Sequence, residues 1–111
     1  MEVSQGLVLR LYMGESDKHG AHSLHDWIIK EAQKQGLSGA TVFRGITGFG
    51  KHQHIHTTNV LVLSTELPMV VEIIDTEDKI HAFLNHIDKE VTHGYATITD
   101  VQICHYGSRD D

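Results

Sequence analysis

The chain has 111 residues and carries 15 acidic against nine basic side chains, a formal charge of −6. That length is one ordinary domain with no room for a separate catalytic module, and the negative balance repels a nucleic-acid backbone, which excludes DNA and RNA as partners. The single cysteine excludes an internal disulfide; with no apolar run near the ~20 residues that span a bilayer and no signal-like N-terminus, a cytoplasmic protein without direct membrane insertion is expected.

Leu7, Leu9, Leu11 and Met13 alternate with Val8, Arg10 and Tyr12, a period of two that predicts a strand ending at Gly14. Ser23 with Asp26 resembles a capping box. Leu24, Trp27, Ile28 and Ala32 follow at helical spacing and Gly36 supplies a left-handed stop, so a helix is predicted from about His22 to Gln35. Ala40 to Ile46, rich in β-branched and aromatic residues, reads as a strand that runs into a loop over 47–57. Two further strands are expected at 59–64 and 68–75, joined by a short hairpin connection, with Pro68 tolerated because it opens its strand.

Thr76 caps the second helix, Glu77 and Asp78 complement its N-terminal dipole, and Ile80, Phe83, Leu84, Ile87 and Val91 form one apolar stripe that Gly94 ends. The last strand is expected at about 99–106, with Cys104 a small buried side chain, before a frayed tail at 107–111.

This order predicts one α+β domain over residues 1–111: a ferredoxin-like βαββαβ sandwich with an extra strand, its antiparallel sheet carrying both helices on one face. Val70, Val71, Ile73 and Ile74 make one strand apolar on both sides, which assigns the other sheet face to a second subunit.

Two glycine-rich polar segments, 14–20 and 44–51, each follow a strand. Glycine lets backbone N–H groups approach a ligand, and Lys18, Arg44 and Lys51 could pair with phosphate, while Glu15 and Asp17 could bind ribose hydroxyls or a metal. The bland alternatives are a bare hairpin tip and a solvated turn. A Rossmann or P-loop reading is rejected because no helix follows Gly50. His52, His54 and His56 recur with period two, so an extended segment would project all three to one side, where they could share a metal; chance clustering among ten histidines competes with that reading. His19, His22 and His25 are expected to face solvent. No nucleophile elbow, Cys–base pair or H-E-x-x-H helix is present, so the protein is not expected to be an enzyme.

Three stretches, 11–20 (LYMGESDKHG), 39–50 (GATVFRGITGFG) and 67–75 (LPMVVEIID), resemble the signatures of a P-II-like family known as domain of unknown function 190, and the similarity runs from Leu7 to about Ile103. The resemblance implies a ferredoxin-like protomer in a homotrimer, similar to nitrogen-regulatory P-II signal-transduction proteins, with an adenine nucleotide (ADP, ATP or AMP) in clefts between subunits. It implies that the 47–57 loop corresponds to the mobile loop with which P-II proteins touch a target protein. The loop departs from P-II signalling proteins in its histidine run and in lacking the tyrosine that many of them modify. The nucleotide site expected on both grounds comprises Glu15, Ser16, Asp17, Lys18, Arg44, Gly45, Gly48, Phe49, Gly50 and Lys51, with Gly48 and Gly50 at phosphate, Arg44 and Lys18 neutralising charge, and Glu15 or Asp17 near ribose or a metal. The competing expectations are a metal-binding trimer that uses His52, His54 and His56, and a structural trimer with inert loops.

Overall fold

Alternation along the first strand decides which way the sheet faces. In the computed structural model, which describes residues 1–49, 56–57 and 67–107, Leu7, Leu9, Leu11 and Met13 are all buried. The elements are β1 (Glu2–Gly14), β2 (Lys18–His19), β3 (His22–Ser23), α1 (Leu24–Lys34), β4 (Ala40–Arg44), β5 (Thr47–Gly48), β6 (His56–Thr57), β7 (Pro68–Asp75), α2 (Glu77–Ile87) and β8 (Tyr95–His105). Among the described residues the main sheet has four strands in the order β4-β7-β1-β8, every neighbouring pair antiparallel. With the two helices between strands this is the expected ferredoxin-like α+β arrangement.

Register puts Leu9 opposite Ile73, Leu11 opposite Val71 and Met13 opposite Met69, so these side chains share one face. Leu24, Ile28 and Ala32 of α1 and Ile80, Phe83 and Ile87 of α2 complete the same core. Each fully buried large apolar side chain contributes about 1.5–3 kcal/mol from removal of its surface from water. The Thr76 hydroxyl accepts the Lys79 N–H and starts α2 as expected, and Gly36 takes φ 77° after α1. Ser23 occupies the N-cap of α1 but its side chain makes no cap bond; the Leu24 N–H donates instead to the Asp17 carbonyl at 2.7 Å.

The other sheet face carries Val8, Arg10 and Tyr12 beside Val70, Glu72 and Ile74. Arg10 and Glu72 are direct cross-strand partners joined at 2.9 Å, and Tyr12 stacks on Tyr95 at 4.7 Å. Phe43 and Tyr95 are exposed here, as is Ile74 in part.

Four sequence expectations are corrected or lie outside the described residues. The second helix ends at Ile87, not Gly94, because the Glu90 and Val91 N–H groups both turn back to the Ile87 carbonyl. β8 begins at Tyr95 rather than near Thr99, since pairing with β1 starts at Tyr12 and extends to Glu2 opposite His105. Gly94 is required where the chain enters that strand. Its φ is +88°, and a Cβ there would strike the Tyr12 carbonyl oxygen. Cys104 is exposed, not buried: it lies on edge strand β8 opposite Val3, beyond the helix-covered core that begins at Leu7. The extra strand expected at 59–64 falls outside the described residues. No helix among the described residues is long and apolar enough to cross a membrane.

Candidate functional site

β1 and β4 finish, and β7 and β8 begin, at one end of the sheet, as the pairs Gly14–Pro68, Arg44–Met69 and Tyr12–Tyr95 show. Both glycine-rich turns are therefore delivered to the same place. In the first, the Gly14 N–H donates to the Asp17 carboxylate at 2.9 Å, the Asp17 N–H returns to the Gly14 carbonyl, and the Glu15 N–H donates to the Leu67 carbonyl at 2.8 Å. Asp17 thus closes its own turn, the local role its short side chain favours. Ser16 and Lys18 stand exposed beside it.

In the second turn, the Gly45 N–H donates to the Pro68 carbonyl at 2.7 Å, and a Cβ on Gly45 would lie 2.6 Å from Pro68 Cγ, so only glycine lets the strand exit this close to β7. Gly48 pairs with His56 in the two-residue ladder of β5 and β6, and Phe49 is exposed. Arg44 joins the two turns, its Nη2 lying 3.0 and 2.9 Å from the two carboxylate oxygens of Glu15. With the Arg44 side chain 55% exposed, the pair is worth at most about 1 kcal/mol and can exchange readily.

The expected cradle of backbone amides is accordingly only partly available. The N–H groups of Gly14, Glu15 and Gly45 are engaged within the fold, and the exposed cations beside these turns are the Arg44 and Lys18 side chains. Gly50, Lys51, His52 and His54 lie outside the described residues, and of His56 the backbone alone is placed. Among the described residues no three His, Cys, Asp or Glu side chains are grouped to hold a metal ion.

Three features escaped sequence reasoning. A groove of about 430 Å³ opens at this same sheet end, where the end of α2 and its connection to β8 meet the sheet, lined by Tyr12, Leu84, Asp88, Val91, His93 and Tyr95 among others. The Gly94-Tyr95 step was its sequence signal, obscured by reading Gly94 as a helix stop. His19, expected in solvent, stacks on Trp27 with ring centroids 3.9 Å apart and places Nε2 3.1 Å from Glu90. His25 is likewise half-buried, its Nδ1 3.4 Å from Asp26, whereas His22 is exposed as expected. Finally, His86 of α2 meets Glu31 of α1 at 2.9 Å; that hydrogen bond holds the Glu31 carboxyl below the usual carboxylate range, Lys34 lowers it further, and burial opposes both.

A sequence model of the family DUF190, described as "Uncharacterized ACR", matches residues 6–103. A "UPF0166 protein" of Aquifex aeolicus (strain VF5) is 38% identical over 103 residues, covering 93% of this chain and 97% of the relative. Another from Methanocaldococcus jannaschii is 32% identical over 99 residues, covering 88% of each. Among solved structures, CPII from Thiomonas intermedia K12, a nitrogen regulatory PII-like protein bound to ADP, AMP and bicarbonate, superposes with a TM-score of 0.67 at 14% identity, covering 92% of this chain and 91% of that one. At that identity the likeness is one of fold.

Proposed function

The chain belongs to the uncharacterised DUF190 family, and we propose that it is a P-II-like regulatory protein, not an enzyme, that binds an adenine nucleotide (ADP, ATP or AMP) between the subunits of a cytoplasmic homotrimer. The observation that carries this reading is the Glu15–Arg44 clasp, which unites both glycine-rich turns at the sheet end where the groove opens. The nucleotide bound by CPII supports the choice of ligand class.

Each side chain has a role in this reading. Arg44 and Lys18 neutralise phosphate charge, and Glu15 holds Arg44 when no phosphate is present. Asp17, fixed by its own turn, offers its remaining acceptor capacity to ribose hydroxyls, with Ser16 beside it. Gly45, Gly48, Phe49, Gly50 and Lys51 lead from Arg44 into the 47–57 loop, so occupancy of the site would change which surface that loop presents to a target protein. No covalent step is needed. The sheet face bearing Phe43, Val70 and Ile74 would form the contact between copies.

A thermal-shift panel of ADP, ATP and AMP tests the assignment. A ligand at about 100 times its dissociation constant adds roughly 2.7 kcal/mol of stability, a rise in Tm on the order of 10 °C. No shift with any of the three, confirmed by the absence of heat in isothermal titration, would sink it.

A further inference from the structure

The first glycine-rich turn is fastened at its far limb to a part of the chain more than sixty residues away. β2 carries His19 out of the turn, and the His19 ring lies nearly parallel to the Trp27 indole, 14° between planes and 3.9 Å between centroids. That contact fixes the ring on the first turns of α1. His19 Nε2 then reaches Glu90 at 3.1 Å. Glu90 sits in the connection between α2 and β8, where its own N–H is bound to the Ile87 carbonyl at 2.9 Å. The residues that follow it at once, Val91 to Ala96, line the groove together with Ile87 and Asp88.

We propose that His19 is a positioning residue that couples the anion-binding turn to the groove wall through its bond to Glu90. For its ligand this inference rests on the nucleotide reading above. The indole provides a fixed plane and the carboxylate a directional partner, so the imidazole has a defined orientation even though it is partly exposed. A ligand group that settles the Val91–Ala96 wall thereby also settles Lys18 and the closure of the turn by Asp17, and a phosphate on the turn settles the wall. Such coupling is reciprocal, and it needs only the contiguous chain of contacts Lys18–His19–Glu90–Val91. Glu90, Trp27 and the cross-strand neighbour His22 are the groups set against His19 from the elements around it.

The test uses the full chain with two variants and their combination. His19→Phe keeps a ring on Trp27 and removes the bond; Glu90→Met keeps the side-chain length and removes the acceptor. Amide hydrogen exchange without ligand is read first. Glu90→Met should speed exchange at residues 16–19, although it alters no residue of that turn, and His19→Phe should speed exchange at 92–95. ADP titration follows, with emission from Trp27, the single tryptophan, as a local reporter. Each single variant should weaken ADP binding roughly threefold to tenfold, the scale of one lost hydrogen bond, and the double variant should be no weaker than the worse single.

Unchanged exchange at 16–19 in Glu90→Met overturns the coupling, as does a double variant whose losses multiply. If the parent binds no ADP, the nucleotide reading fails separately, and the exchange data still decide whether His19 links the two segments.

Discussion

The Arg44 guanidinium spans the start of β7 to meet the Glu15 carboxylate, donating from Nη2 to Oε1 at 3.0 Å and lying 2.9 Å from Oε2. In the proposed nucleotide site, an internal carboxylate therefore stands where a ligand phosphate would be bound. Removing it should expose the cation. In ADP titrations, Glu15→Gln is expected to tighten binding about threefold, because Arg44 no longer has to leave a charged partner. Arg44→Ala should weaken binding by about tenfold or more. Looser binding in Glu15→Gln would show that Glu15 itself touches the ligand.

Gly94 stands where the chain turns into β8, with φ +88° and the Tyr12 carbonyl in the path of any Cβ. Gly94→Ala must therefore shift backbone as well as adopt a left-handed conformation. A loss of about 2–4 kcal/mol is expected in urea unfolding. Gly39, with open space around its missing Cβ, serves as the control, and Gly39→Ala should change stability by less than about 1 kcal/mol.

The outer sheet face makes a prediction about assembly. Ile74 lies opposite Val8, and Phe43 pairs with Val70 at the neighbouring strand, which gives an apolar surface the two helices do not cover. Light scattering on the parent should give about three protomer masses. Ile74→Glu should reduce this to one, since burying an unpaired carboxylate in an apolar contact is unfavourable by several kcal/mol. An unchanged mass in the variant would place the contact elsewhere.

Acid stability follows from the helix pair. The His86 bond lowers the Glu31 carboxyl from its usual 4.5 in the folded chain. A depressed carboxylate contributes stability above its unfolded value and loses it as pH falls from there through the folded value. Tm should thus drop more steeply below about pH 4.5 in the parent than in Glu31→Gln, while the variant is the less stable of the two near neutrality. Parallel Tm profiles from pH 7 to pH 3 would remove Glu31 from the acid response.

Periodicity makes the core legible in the sequence itself. The alternation Leu7-Leu9-Leu11-Met13 and the stripe Ile80-Phe83-Ile87 name their buried faces, because burial on a strand or a helix repeats with the backbone geometry. The start of β8 was not legible in the same way. Tyr95 to Thr99 suits a strand, but what fixes its beginning is Tyr12, more than eighty residues earlier. The two turns were visible by composition alone, whereas the Glu15–Arg44 clasp depends on strand order, which sets β4 and β1 on either side of β7. His19 departs from its expected exposure for the same reason: its partner Glu90 is remote in sequence, and nothing local marks the imidazole as held.

The way the chain departs from the sheet and rejoins it has a consequence for how such proteins can diversify. The Gly45 N–H clasps the Pro68 carbonyl, and the Leu67 carbonyl accepts the Glu15 N–H, so exit and re-entry are tied to each other and to β1. The pairing of the four-stranded sheet thus stops at Arg44 and resumes at Pro68, with only the short β5–β6 ladder described between them, and closing a longer loop between anchored ends costs little more than closing a short one. New recognition specificities could accordingly be grafted at that junction while the sheet, its two helices and the Glu15–Arg44 gate are inherited unchanged.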